Sequence, residues 1–179
     1  MGGYVAQEIC RQAPHRVQRL ALLDTRARTD EPDETRRRRI LMQWAQSSEG
    51  STPVTNRMLP LLIHPDRVND AALVQTIRAM AERIGVQAYL RQQQAIIVRP
   101  DFRPLLRAIQ CPTLLICGRQ DVLTPLAFHQ EMAAEIPGAV LQIIEECGHL
   151  ATLERPAEVN ALLRRWLSAS GAEVLGRTR

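Results

Sequence analysis

The stretch Cys111-Pro112-Thr113-Leu114-Leu115-Ile116-Cys117-Gly118-Arg119-Gln120-Asp121-Val122-Leu123-Thr124-Pro125 reads as a buried strand that stops at a glycine and delivers an acid into the next loop. An apolar run bounded by Pro112 and Gly118 suits a parallel strand covered on both faces. Asp121 then falls just past the strand's carboxyl end, where open α/β sheets place their chemistry. Further along, residues 139–149 repeat the arrangement of strand and turn with an imidazole, His149, in place of the carboxylate. The 28 residues from Asp121 to His149 leave room for one helix and one strand, which sets a base beside an acid. At the other end, Met1-Gly2-Gly3-Tyr4-Val5-Ala6 matches the back half of a Gly-x-Ser-x-Gly elbow. Met1 would be its second x and Gly2 its closing glycine, with the nucleophile preceding residue 1.

Taken together, these residues resemble the α/β-hydrolase superfamily. Gly118-x-x-Asp121 with Pro125, then Cys147-Gly148-His149 with Glu154-x-Pro156 and an amphipathic last helix, are similar to its acid and histidine regions, in the order Ser, Asp, His. The resemblance covers nearly the whole chain and implies a partial α/β-hydrolase fold. It would have three parallel strands with flanking helices and a helical cap insertion. The strands before the elbow, the serine itself and the family's first oxyanion loop are not in this sequence. By the resemblance, Asp121 is the orienting acid, His149 the base, and the backbone N–H of Met1 one oxyanion donor. No cofactor and no metal are implied.

The chemistry explains the residue types. A serine hydroxyl is a poor nucleophile at neutral pH, so a neutral imidazole must take its proton as the oxygen attacks a carbonyl carbon. A buried carboxylate fixes the imidazole tautomer and stabilises the imidazolium. Other assignments are open. Asp121 or, better placed, Thr124 is a candidate to cap the helix after Pro125, and Asp24 ends a strand at Val17 to Leu23 where some relatives carry the acid. His15, His64 and His129 read as surface or structural residues, and none pairs at the i, i+4 spacing of a helical zinc site. Cys10, Cys111, Cys117 and Cys147 include no C-x-x-C and read as small apolar residues of a reducing compartment. Cys147, two residues before His149, is a remote thiol-nucleophile alternative.

Composition bounds the rest. With 179 residues, 45% of them hydrophobic, the chain can build one ordinary domain. It shows neither an apolar run of membrane-spanning length nor a charged-then-apolar leader, so a cytoplasmic protein is expected. The net charge is +4, and the basic excess lies in residues 26–107, which hold 14 of the 23 basic residues, all arginine. Arg36 to Arg39 follow Asp30, Glu31, Asp33 and Glu34, an ordinary match to a helix dipole. With 3% aromatic residues, nucleic-acid binding is not expected.

Three pieces result. Residues 1–25 give a helix, with Tyr4, Val5, Ile9 and Ala13 at helical spacing, and the strand Val17 to Leu23. Residues 26–107 form a helical cap, in which Val74, Ile77, Ala81 and Ile84 mark one buried face and Trp44, Met58, Leu59 and Tyr89 are candidates to line a substrate pocket. Residues 108–179 return to strand, helix, strand, helix. The last helix carries the stripe Val159, Leu162, Leu163 and Trp166, and Ser168 to Arg179 are expected to fray. The first strand would expose an edge, so the chain alone is expected to form a homo-oligomer, to require an amino-terminal half, or to be unstable.

Three functions fit. The first is a serine hydrolase acting on a small carboxylic ester, lactone or activated C–C bond, with its serine encoded upstream and the present chain inactive alone. The second is a non-catalytic remnant that self-associates or serves as an interaction protein. The third is a hydrolase with an Asp nucleophile at the same elbow.

Overall fold

The computed structural model describes residues 1–47 and 52–168; the side chains of Thr52 and Pro53 are not among those described. Ser48, Ser51, Ser170 and the remainder of the tail expected to fray lie outside the described residues. Helix α1 spans Gly2–Gln12 and strand β1 Leu20–Leu23, followed by helices α2, Pro32–Ser47, α3, Thr52–Leu62, and α4, Ala71–Ile97. The chain then returns to β2, Thr113–Gly118, α5, Leu126–Glu135, β3, Val140–Ile144, the short α6, Ala151–Glu154, and α7, Pro156–Ser168.

The three strands form one parallel sheet in the order β1-β2-β3. Leu22 sits opposite Leu115, and Leu115 opposite Leu141. Every residue of β2 is buried, as its uninterrupted apolar run predicts for a central strand. Alternate residues serve opposite layers. Leu20, Leu22 and Leu115 join Cys10, Met132 and Ile136 beneath α1 and α5. On the other face Leu114, Ile116 and Ile144 meet Ala151 and Val159, with Leu162, Leu163 and Trp166 of the α7 stripe packed against them.

Strand β1 is shorter than expected: Val17 closes a 3-10 turn over Pro14–Arg16, and pairing begins with Leu20. A larger correction concerns α1. Its buried residues are Gln7 and Cys10, whereas Val5 and Ile9 of the expected apolar stripe are 50% and 48% exposed. Two features turn the helix this way. A Cβ on Gly3 would lie 2.4 Å from Thr25 Oγ1, so the helix approaches β1 along the Gly3, Gln7 and Cys10 face. Gln7 Nε2 donates to the carbonyls of Gly3 and Arg26, giving its buried amide polar partners there.

Between β1 and β2 the chain is helical. Leu59, Ile63, Leu73, Val74 and Ile77 form an apolar centre of α3 and α4. Helix α4 kinks at Gly85, whose φ of 71° is in the left-handed region that glycine tolerates. Ile84, expected on the buried face, is 49% exposed. Within residues 26–107 a largely buried ionic cluster joins the two ends of this segment to α2: Asp30 receives Arg26, Arg38 and Arg99, and Arg26 also holds Glu34. A buried charge is tolerated when paired and hydrogen-bonded in this way. Among the described residues no helix is long and apolar enough to cross a membrane.

Candidate active site

The carboxyl ends of β2 and β3 bring the acid and the imidazole together. Asp121 Oδ2 lies 2.8 Å from His149 Nδ1. The same oxygen accepts the Thr124 hydroxyl at 2.7 Å, and Oδ1 accepts the backbone N–H groups of Leu123 and Thr124, both at 2.9 Å. Burial pushes the Asp121 carboxyl upward, but its hydrogen bond to His149, the imidazole's charge and the Thr124 donors outweigh burial and hold it below the ordinary value. An ionised Asp121 can only accept, so Nδ1 carries a proton in either charge state of the ring, and in the neutral form the lone pair lies on Nε2. Thr124 Oγ1, 3.3 Å from Nδ1, points its O–H at Asp121 and offers the ring N–H a second acceptor. Neither residue caps α5, whose N-cap is Pro125 without a side-chain bond. Asp121 instead closes its own tight turn, which fixes the carboxylate before the helix begins.

Asp24 is close by without serving as the partner of the imidazole. Its Oδ1 accepts from Gly118 N–H at 3.3 Å and its Oδ2 from Ala151 N–H at 3.1 Å, so it braces the end of β2 and the start of α6. It adopts φ 46°, and burial above all raises its carboxyl to about 7. Asp24, Cys117 and Asp121 place ligand-type atoms within 4.8 Å of one another. The carboxylates already accept backbone or hydroxyl donors, and burial pushes the Cys117 thiol far up, so this set suits hydrogen bonding better than metal binding. Cys147 is fully buried with its thiol pushed up to about 12 by burial, which removes thiolate chemistry beside His149.

The loop carrying His149 is held one residue at a time. Cys147 N–H donates to the Gln120 side chain at 3.0 Å, Gly148 N–H to Glu154 Oε1 at 2.9 Å, and His149 N–H to Leu62 carbonyl at 3.0 Å. Leu150 N–H donates to the same Glu154 oxygen at 3.3 Å, and Ala151 N–H to Asp24. A Cβ on Gly118 would lie 2.1 Å from Gly148 carbonyl oxygen, and one on Gly148 would lie 2.6 Å from the Ile63 carbonyl carbon. Glycines at both places let the acid loop, the histidine loop and the end of α3 touch backbone to backbone.

His149, Leu123 and Thr124 border a cavity of about 400 Å³ whose walls come mainly from α2, α3 and α4. Of the four side chains proposed from sequence, Met58 and Tyr89 line it. Trp44 and Leu59 do not: Trp44 stacks with Arg57 at 5.6 Å, and Leu59 is buried between α3 and α4. Met1 also lines the cavity, while its carbonyl accepts the N–H groups of Tyr4 and Val5. The remaining histidines lie elsewhere. His15 is exposed, and His64 Nδ1 accepts Asp66 N–H. His129 is fully buried, accepts Thr25 N–H at 3.1 Å and is pushed down to about 4 by burial. The sequence did not reveal the roles of Glu154, quoted only within its motif, of Gln120 or of Asp24 as a brace, because their partners are backbone amides that leave no residue signature.

A family model described as "Alpha/beta hydrolase family" matches residues 1–162. The chain is 29% identical over 164 residues to a pimeloyl-[acyl-carrier protein] methyl ester esterase of Nitrosomonas europaea, covering 88% of this chain and 65% of that protein. It is 25% identical over 161 residues to 3-oxoadipate enol-lactonase 2 of Acinetobacter baylyi, covering 89% and 58%. A thermophilic esterase from Thermogutta terrifontis superposes with a TM-score of 0.87 at 31% identity, covering 98% of this chain and 63% of that one. The chain thus spans between 58% and 65% of the length of these curated relatives.

Proposed function

Because the chain belongs to the α/β-hydrolase family, we propose that Asp121 and His149 are the acid and base of a Ser-His-Asp hydrolase acting on small carboxylic esters or lactones. The carrying observation is the 2.8 Å bond between His149 Nδ1 and a buried, ionised Asp121 at the edge of a mainly apolar cavity. In this reading His149 Nε2 takes the proton of a serine in the position before Met1 and returns it to the leaving alcohol, while Asp121 stays ionised and stabilises the imidazolium. The backbone N–H of Met1 meets the oxyanion, and residues such as Met58 and Tyr89 hold the acyl or alcohol portion. Activated C–C bonds cleaved by the same nucleophile form a further substrate branch. The insert over residues 26–107 acts as the cap.

The test joins the coding sequence immediately before the Met1 codon to labelling with a fluorophosphonate. The expected result is an in-frame Gly-x-Ser whose serine takes the label and loses it in His149→Ala. Labelling confined to Ser47, Ser48, Ser51, Ser168 or Ser170, or an in-frame stop codon, would overturn the reading. A second reading, a self-associating protein without catalysis, is favoured by one observation, the half-exposed Val5 and Ile9 on α1.

A further inference from the structure

We propose that Glu154 is a positioning residue for His149, one that fastens the helical insert to the loop of the base. The inference rests on the reading of His149 as the base and deepens it. Glu154 is 3% exposed, and its carboxylate receives three backbone N–H groups. Oε1 accepts from Gly148 and Leu150, the residues on either side of His149, and Oε2 accepts from His64 at 2.7 Å, just beyond the end of α3. The N–H of His149 itself goes to Leu62 carbonyl on that same end of α3. One carboxylate therefore orients the peptide planes before and after the base, and the element that receives its other oxygen also receives the base's own N–H.

The geometry suits a side chain that only accepts: three backbone N–H donors, and the Cys147 thiol at 3.9 Å, converge on its two oxygens. A carboxamide of the same shape presents one NH₂ to donors that have nothing to give it. Gly148 packs closely on the backbone of Ile63 and His64, where an added Cβ would lie 2.6 Å and 2.7 Å from their atoms. Arg67 donates to the backbone carbonyl of Glu154 and pairs with Asp70, which anchors α6 from outside without touching the carboxylate. Arg67→Ala is accordingly a control that loosens α6 and the Asp70 pair at the start of α4 while leaving the Glu154 carboxylate in place.

The experiment is solution NMR of the 179-residue chain, observing the low-field Nδ1–H proton of His149 and the exchange of the Gly148 and Leu150 amides. In Glu154→Gln the Nδ1–H signal should be lost to solvent exchange, and the two amides should exchange on the order of tenfold faster or more. Arg67→Ala should leave the Nδ1–H signal in place. Should Glu154→Gln not fold, Glu154→Asp, too short to reach both sides, carries the same expectation. A folded variant with an unmoved Nδ1–H signal overturns the proposal. Failure of both variants to fold would assign the carboxylate to folding and overturn it too. The reading of the base is tested separately: wild-type protein without a His149 Nδ1–H signal, or one that survives in Asp121→Asn, would refute the dyad rather than Glu154.

Discussion

From Cys147 to Ala151 every backbone N–H has an acceptor, drawn from the acid loop, α6, the end of α3 and the end of β1. Along α1, by contrast, Val5 and Ile9 are half exposed, and the buried positions are a glutamine and a cysteine. The histidine loop is held by directional bonds and backbone contacts that allow little displacement. The outer face of α1 has apolar area but no geometry imposed on it by the described residues. Backbone precision is thus high where the imidazole meets the carboxylate and low on the outer face of α1, and substitutions should report it.

The largest effect is expected at Gly118. In Gly118→Ala the new Cβ would meet the Gly148 and Cys147 carbonyls, both backbone, so the cost should reach about 3 kcal/mol, the upper part of the overpacking range. A urea midpoint unchanged from wild type would contradict the close approach of the two loops. Gly148→Ala intrudes on Ile63 and His64 at slightly longer range and should cost roughly 1–3 kcal/mol, with the added effect of separating the insert from the base.

Asp24 gives the next effect and a sign. Its carboxyl is raised from 3.8 to about 7, by burial first and also by the Asp121 charge, against the opposing His149 charge and backbone donors. The folded state therefore holds a proton that the unfolded chain releases. The associated stabilisation is complete below about pH 4 and is lost as pH rises through about 7. Groups held low, such as Asp121 and Asp30, act oppositely, and their contribution disappears as pH falls. Subtracting the stability of Asp24→Asn from that of wild type across pH 4 to 8 should isolate a difference that declines toward pH 7 and then levels. A flat difference would remove Asp24 as a titrating brace. The smallest change is expected on α1, where Ile9→Gln should alter monomer stability by no more than about 0.5 kcal/mol while reducing self-association in light scattering. A loss of several kcal/mol there would show that the face is buried.

The same contrast explains what the sequence revealed. The strand through Leu114, Leu115 and Ile116 was legible because an uninterrupted apolar run has few other uses, and Gly118 marks its end. Asp121 and His149 follow at strand ends, so chain order alone placed them as neighbours. The stripe Val159, Leu162, Leu163 and Trp166 was legible for a similar reason: one face of α7 meets one sheet layer. Helix α1 was misread because periodicity reports a stripe without saying which side meets the sheet, and the close approach at Gly3 chose the side of Gln7. In the insert, Met58 and Leu59 are adjacent on α3, and only the rotation of that helix decides which lines the cavity and which is buried against α4. Glu154 was quoted only as part of a motif, since a carboxylate that serves backbone amides has no complementary side chain to betray it.

Asp121, held ionised 2.8 Å from Nδ1, requires a proton on Nδ1 of His149 and so places the lone pair of the neutral ring on Nε2. Long-range ¹H–¹⁵N correlation of the His149 ring near neutral pH tests it most directly. The predicted result is the Nδ1–H tautomer in the wild-type chain and its loss in Asp121→Asn; an Nε2–H tautomer in wild type, or a ring indifferent to Asp121→Asn, would contradict it.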